Sequence, residues 1–261
     1  MFCLMWTMKT SKQYALTFTM QRLAQFSSEV EMKLSVIIPA AGSSNRMKAK
    51  QSKQLMKLCG VEVLAHTALA FERSELVSEI IIVCRNEERA EFERLMKQYG
   101  IRKLKCFAQG GKSRQESVFN AMPLVSEQCD YVAIHDGARP LVSREIIERT
   151  ATAAEKYGAA APGVPVKDTI KIIENSGMIA STPNRESLVA IQTPQIFEKQ
   201  KYLAAMKRAQ QSGEEYTDDC ALLEQSGCAV FVSEGSYDNI KITTAQDIPI
   251  AQRLMEGLKC E

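Results

Sequence analysis

From residue 33 onward the sequence alternates short, continuous apolar runs with longer amphipathic stretches, and few architectures accept that alternation. Residues 33–39, 79–84 and 131–135 carry the pattern of strands buried on both faces. Between them, residues 61–72 place Leu64, Ala68 and Phe71 on one helical face. Residues 86–99 begin with an expected Asn86 cap and an acidic first turn, and 113–122 follow a Gly-Gly turn. Strand and helix in alternation predict an α/β fold with a Rossmann-like, mostly parallel sheet covered by helices on both faces.

The pattern breaks after Gly158. Residues 159–165 are small and Pro-rich, and the β-rich stretches 166–173 and 178–182 flank a turn at 174–177. This predicts a projecting β-hairpin arm over residues 165–185. Further on, 198–210 and 217–225 have helical spacing, 228–232 has strand character, and 244–258 suits a closing helix.

A chain of 261 residues with 45% hydrophobic content suits one large core, and two large domains do not fit. Charged residues nearly cancel to +2, so no basic field favours nucleic acid. No apolar run reaches the roughly 18 residues that suggest a membrane span. The eight cysteines form no C-x-x-C pair and read as reduced thiols, which suits a cytoplasmic setting. Only His66 and His135 occur, so a site needing several histidine ligands is excluded, and no metal-ligating residues are assigned. Residues 1–28 lack acids but contain Lys9, Lys12 and Arg22, loosely the composition of a transit peptide. Residues 1–31 are taken as a non-essential, disordered leader, and 32–258 as the functional domain.

Candidate chemistry lies where the apolar runs end. Ala40, Ala41 and Gly42 open a small-residue loop after the first strand, where backbone amides can approach a phosphate or a base. Arg46 and Lys53 on that loop can face one polyphosphate. Read alone, the segment is equally an ordinary strand-to-helix turn with solvated cations. It lacks the G-x-G-x-x-G spacing of a dinucleotide fingerprint, and Gly111-Lys112-Ser113 lacks the earlier glycine of a Walker loop. Residues 110–117, including Gly111 and Ser117, form a helix start that could face the same crevice. Asp136 ends the third apolar run, placed to meet a ribose hydroxyl or a Mg²⁺-bound water, while Arg139 can be its structural partner. Lys241 stands between Ile240 and Ile242, which alternation puts on the opposite face; alone, it suits an edge strand protected against aggregation.

Motifs in order bring these positions together: P-A-A-G-x-x-x-R-M from Pro39, K-Q at Lys53, H-D-x-A-R-P from His135 and D-T at Asp168. R-x-x-L-x-x-x-Q-T-P-Q-x-F then follows from Arg185, with T-D-D at Thr217 and D-N-I-K-I-T from Asp238. The ordered set resembles the methylerythritol phosphate cytidylyltransferase family over nearly all of residues 32–258. Ser52 departs from the family's usual proline before the lysine and leaves that loop less constrained.

The resemblance implies transfer of a cytidylyl group from CTP to a polyol phosphate, releasing diphosphate. It implies that Arg46 and Lys53 stabilise the polyphosphate in the transition state, and that Lys241 and Arg185 position the attacking phosphate. Ala40, Ala41, Gly42, Gly111 and Ser117 would hold cytosine and ribose. Asp136 would stand between nucleotide and acceptor, with Thr169 and Thr193 on the acceptor. It further implies Mg²⁺ held mainly by CTP phosphates, and a homodimer with exchanged arms. Two other readings stay open: a ribitol 5-phosphate cytidylyltransferase, and a nucleotide-binding regulatory protein without catalysis.

Overall fold

The computed structural model describes residues 32–42 and 52–258. The expected leader at 1–31 and the cation Arg46 lie outside the described residues. From Lys33 onward the chain forms one compact unit.

Its first strand, β1 (Leu34–Pro39), is followed by the short pair β2 (Lys57–Leu58) and β3 (Val61–Glu62) and by α1 (Val63–Glu72). Then come β4 (Val77–Cys84), α2 (Asn86–Gln98), β5 (Leu104–Gln109), α3 (Arg114–Ala121), β6 (Tyr131–Ile134) and α4 (Arg144–Tyr157). The strands β5, β4, β1 and β6 lie side by side in that order and all parallel, so the winding reverses between β1 and β6. Apolar side chains on both faces explain the continuous runs. Ile37, Ile81, Val83, Val132 and Ile134 pack into one core with α3. The intervening Val36, Ile38, Ile80, Ile82 and Ala133 are equally buried and, by the two-residue period of a strand, point to the other side.

The second half of the sheet departs from the sequence expectation. Residues 159–165 are a buried strand, β7 (Ala159–Pro165), released from α4 by Gly158 in the left-handed conformation, φ 84°. The arm carries β8 (Ile172–Ile173) and β9 (Ile179–Ser181), a shorter hairpin than expected, around the anticipated turn at 174–177. Its base closes where Val166 N donates to Leu188 O, so the arm spans 166–188 and extends past Arg185. The chain then re-enters the sheet as β10 (Val189–Ile191) and β11 (Gln195–Glu198), both antiparallel to β7, with a cis Thr193–Pro194 peptide between them. β11 also pairs with β6 and joins the two halves of the sheet.

Helices α5 (Lys199–Ser212) and α6 (Asp219–Gln225) follow, then β12 (Phe231–Glu234), parallel to β7, and α7 (Asp247–Leu258). The strand expected at 228–232 sits slightly later. Asn86 is the first residue of α2 and not its cap; Arg85 precedes the helix and pairs with Glu88 instead. Residues 240–243 form no strand, so the edge-strand reading of Lys241 does not hold. Ile242 is nevertheless buried with Leu58, Val63, Ala138 and Ala251, and its amide donates to Ala138 O. That small core ties the Lys241 segment to the loop after β6. Asp247 adds a second tie, accepting from the amides of Thr243 and Thr244.

Candidate active site

The carboxyl ends of β1, β5 and β6 meet in a cleft of about 410 Å³ whose walls include Ala41, Gly42, Lys53, Gly111, Arg114, Asp136 and Lys241. Its place follows from the winding, because loops diverge where a parallel sheet reverses direction and leave a crevice between them. Small residues let those loops approach. A Cβ added at Gly110 would stand 2.5 Å from the Ala41 Cβ. Ser113 caps α3 by accepting from Glu116 N, and the Glu116 carboxylate returns to Lys112 N, a capping arrangement that fixes the loop against the helix.

Asp136 is the hub. Its Oδ2 lies 2.8 Å from Lys241 Nζ and 3.6 Å from Arg139 Nε, and its Oδ1 lies 3.6 Å from Arg114 Nε. Burial alone would raise its pKa, but Lys241 and Arg114, with Arg139, hold the carboxyl well below the usual carboxylate range. A second cleft of about 150 Å³ adjoins the first and shares Arg114, Asp136 and Lys241 with it. Its remaining walls include Arg139, Gln192, Thr193 and Thr217. Three cations around one ionised carboxylate leave a local excess of positive charge at the junction.

Backbone and side-chain bonds hold this hub from behind. Thr193 Oγ1 accepts from Asp136 N at 3.1 Å and lies 3.1 Å from His135 Nδ1. His135 Nε2 lies 3.2 Å from Arg139 O, a pure acceptor, so the ring carries its proton on Nε2 and accepts from Thr193 on Nδ1. Burial pushes the His135 pKa down to about 4, so the ring is neutral at pH 7 and both its nitrogens are occupied. Asn239 Nδ2 donates to Thr193 O, and Arg139 Nη1 donates to Asn239 O. Those bonds lock the segment bearing Lys241 against the one bearing Thr193.

A third support comes from α6. Arg114 Nη1 donates to Asp219 Oδ2 at 2.6 Å, and Tyr202 OH donates to Asp219 Oδ1 at 2.5 Å. Burial works against the Arg114 charge, yet Asp219 and Asp136 keep its pKa above the usual guanidinium value. Asp218, its neighbour in the T-D-D motif, caps α6 and accepts from Gln195.

The structure brings Ala41, Gly42, Lys53, Gly111, Ser117, Asp136 and Lys241 to the larger cleft, and Thr193 to the smaller. Ala40 is buried beneath them with its amide bonded to Val83 O, so that group belongs to the sheet. The hydroxyl of Ser117 bonds Ser113 O and Gly111 N and shapes the loop. Lys53 Nζ donates to Ile242 O at 3.2 Å. Thr169 and Arg185 stand exposed on the arm, where Arg185 bonds Lys167 O, and neither lines the two clefts. Sequence reasoning passed over Arg114, Asp219 and Tyr202. Arg114 lay inside the helix start at 110–117 and Asp219 inside T-D-D, but nothing in the sequence signalled that they would meet.

Among the described residues no group of three or more His, Cys, Asp or Glu side chains could hold a metal ion. Both oxygens of Asp136 face cations. The described donor set therefore does not form a metal cage.

The family model for 2-C-methyl-D-erythritol 4-phosphate cytidylyltransferase matches residues 34–257. A protein of that name from Bacillus mycoides (strain KBAB4) is 46% identical over 225 residues, which cover 86% of this chain and 99% of the relative. Its counterpart from Caldanaerobacter subterraneus subsp. tengcongensis is 44% identical, over 85% of this chain and 98% of that one. Among solved structures, 4-diphosphocytidyl-2C-methyl-D-erythritol synthase from Anaerococcus prevotii superimposes with a TM-score of 0.77 at 32% identity, covering 87% of this chain and 97% of that one. The cytidylyltransferase from Thermus thermophilus gives 0.69 at 31%, covering 85% and 98%.

Proposed function

This chain belongs to the 2-C-methyl-D-erythritol 4-phosphate cytidylyltransferase family, and we propose that its two joined clefts divide the family's reaction between CTP and its acceptor. The enzyme is a nucleotidyltransferase that joins CTP to 2-C-methyl-D-erythritol 4-phosphate, giving CDP-methylerythritol and diphosphate for isoprenoid precursor synthesis. The observation that carries the division is the sharing of Arg114, Asp136 and Lys241 by both clefts.

In this reading CTP occupies the larger cleft. The backbone at Ala41, Gly42 and Gly111 meets cytosine and ribose, with Ala40 and Ser117 shaping the loops that present it. Arg46 and Lys53 meet the polyphosphate. The acceptor enters the smaller cleft beside Thr193, with its phosphate towards Lys241. An acceptor phosphate oxygen attacks the α-phosphorus of CTP, the bond from that phosphorus to the bridging oxygen breaks, and diphosphate leaves with the electron pair. The nucleophile is already anionic, so no base is required, and the neutral, fully bonded His135 is not asked to act as one. The work of the protein is to hold two repelling anions in line and to supply positive charge as the leaving group forms. Mg²⁺ would arrive on the CTP phosphates and supply further positive charge there, since the described residues form no cage for it.

The acceptor site is completed by a second copy of the chain. The arm exposes Ile172, Ile173, Met178 and Ile179, an apolar surface that a short hairpin cannot cover by itself. A two-fold homodimer would cover it and place Thr169 and Arg185 at the neighbour's acceptor cleft. A cytoplasmic setting suits the six described cysteines, all of them free thiols. No helix among the described residues is long and apolar enough to cross a membrane.

The test of the division is Lys241→Ala. Transfer should fall by about a hundredfold, while CTP affinity measured by calorimetry stays within about threefold. Equal losses in both would place Lys241 with the nucleotide and overturn the assignment.

A further inference from the structure

Asp219 is buried, yet it carries a charge next to an otherwise apolar core built from α3, α5 and α6. Burying a carboxylate is costly unless it is paired and bonded, and here every group around it serves that end. Tyr202, fully buried and stacked on Phe197 at 5.2 Å, donates to Oδ1; Gln195 accepts from the Asp219 amide; Arg114 donates to Oδ2. Packing alone could hold α6 against α5. What the carboxylate adds is a fixed position for Arg114, whose guanidinium lines both clefts.

The geometry points to Asp219 and Tyr202 as positioning residues for the transfer: they anchor Arg114 so that Oδ1 of Asp136 keeps its cation, beside Arg139 on Oδ2, when Lys241 turns to the acceptor phosphate. This rests on the placement of Lys241 at that phosphate. In the structure Lys241 Nζ is 2.8 Å from Asp136 Oδ2. An arriving phosphate competes with Asp136 for the same ammonium, and a buried carboxylate left short of positive charge would repel the ligand. Arg114 addresses the other oxygen, Oδ1, and cannot follow the phosphate, because Nη1 is held 2.6 Å from Asp219. Lys241 thereby shares a single carboxylate with two anchored cations, Arg114 on Oδ1 and Arg139 on Oδ2.

Steady-state kinetics on the full chain, varying CTP and 2-C-methyl-D-erythritol 4-phosphate separately, test this. Asp219→Asn should raise the acceptor KM by about tenfold, the scale of one charge-assisted bond, with the CTP KM within about threefold. Tyr202→Phe keeps the ring and removes one bond, and should raise the acceptor KM by about threefold. Since Asp219 acts through Arg114, the double variant Arg114→Gln/Asp219→Asn should be no worse than Arg114→Gln alone. A purely structural role moves melting temperature without that split or that coupling. A cooperatively folded Asp219→Asn protein with an unchanged acceptor KM, equal rises in both KM values, or additive effects in the double variant would overturn the inference. Should Asp219→Asn not fold, Tyr202→Phe and the double variant decide by the same criteria. A wild-type chain without transfer would overturn the functional reading itself, whereas an active wild type with indifferent variants overturns this inference alone.

Discussion

Arg114 and Asp219 meet at 2.6 Å across 105 residues of sequence, and through that contact α6 reaches the junction of two substrate clefts. The site is thus not a property of the strand-end loops alone. Asp136 sits where one half of the sheet supplies Arg114 and the other half supplies its buttress, Thr193. Changes far from the substrates in sequence should therefore act on one substrate more than the other.

Charge at the polyphosphate is expected to matter most as the leaving group forms. Lys53→Ala and Arg46→Ala should each lower kcat by roughly a hundredfold or more, the effect of removing one preorganised donor. CTP affinity should change far less. Turnover within a few-fold of wild type for both would remove them from the mechanism.

The shared-site arrangement makes a prediction about mixtures. Arg185→Ala and Lys53→Ala are each expected to be inactive alone. In a mixed dimer one site combines an intact body with an intact partner arm, and the other carries both lesions. Random exchange of subunits should then restore about a quarter of wild-type activity. Mixed dimers that form and stay inactive would show that Arg185 serves its own subunit.

His135 gives stability a defined pH dependence. Its folded pKa is pushed from 6.5 down to about 4 by burial, so the unfolded chain takes up the proton first as pH falls. The stability of the neutral, buried ring is fully present above about pH 6.5 and is lost progressively towards pH 4, by up to about 1.4 kcal/mol per pH unit. The depressed carboxyls of Glu79 and Asp136 act lower, as pH falls below 4.5 and 3.8 respectively. Thermal melts from pH 7.5 to 4.5 should show the fall beginning near 6.5, and His135→Gln should flatten it. Equal slopes in both proteins would contradict this assignment.

Much of this was legible in the sequence. Continuous apolar runs identified β1, β4 and β6 because burial on both faces leaves a run and not an alternation. The ends of β1 and β6 then placed Ala41 and Asp136 at one crevice, which Gly111 joins from the helix start after β5. β7 escaped because alanine, glycine and proline are poor strand formers, and its strand state comes from pairing with β10, β11 and β12. Lys241 was found through its motif, but its segment is held by Ala138 and a small core rather than by a sheet edge. Thr193 and Ser117 line the two clefts, and their hydroxyls also support Asp136 and the loop at Gly111, a second task that no local pattern signalled. The Arg114–Asp219–Tyr202 chain was beyond sequence reasoning, since no local pattern records which distant carboxylate a buried arginine will meet.

The most direct test of the account offers the purified chain CTP and Mg²⁺ with either 2-C-methyl-D-erythritol 4-phosphate or ribitol 5-phosphate, and follows diphosphate release. Rapid release with the methylerythritol phosphate, at a kcat/KM at least about a hundredfold above that with ribitol phosphate, is the predicted result. Release with ribitol phosphate and none with methylerythritol phosphate would contradict it.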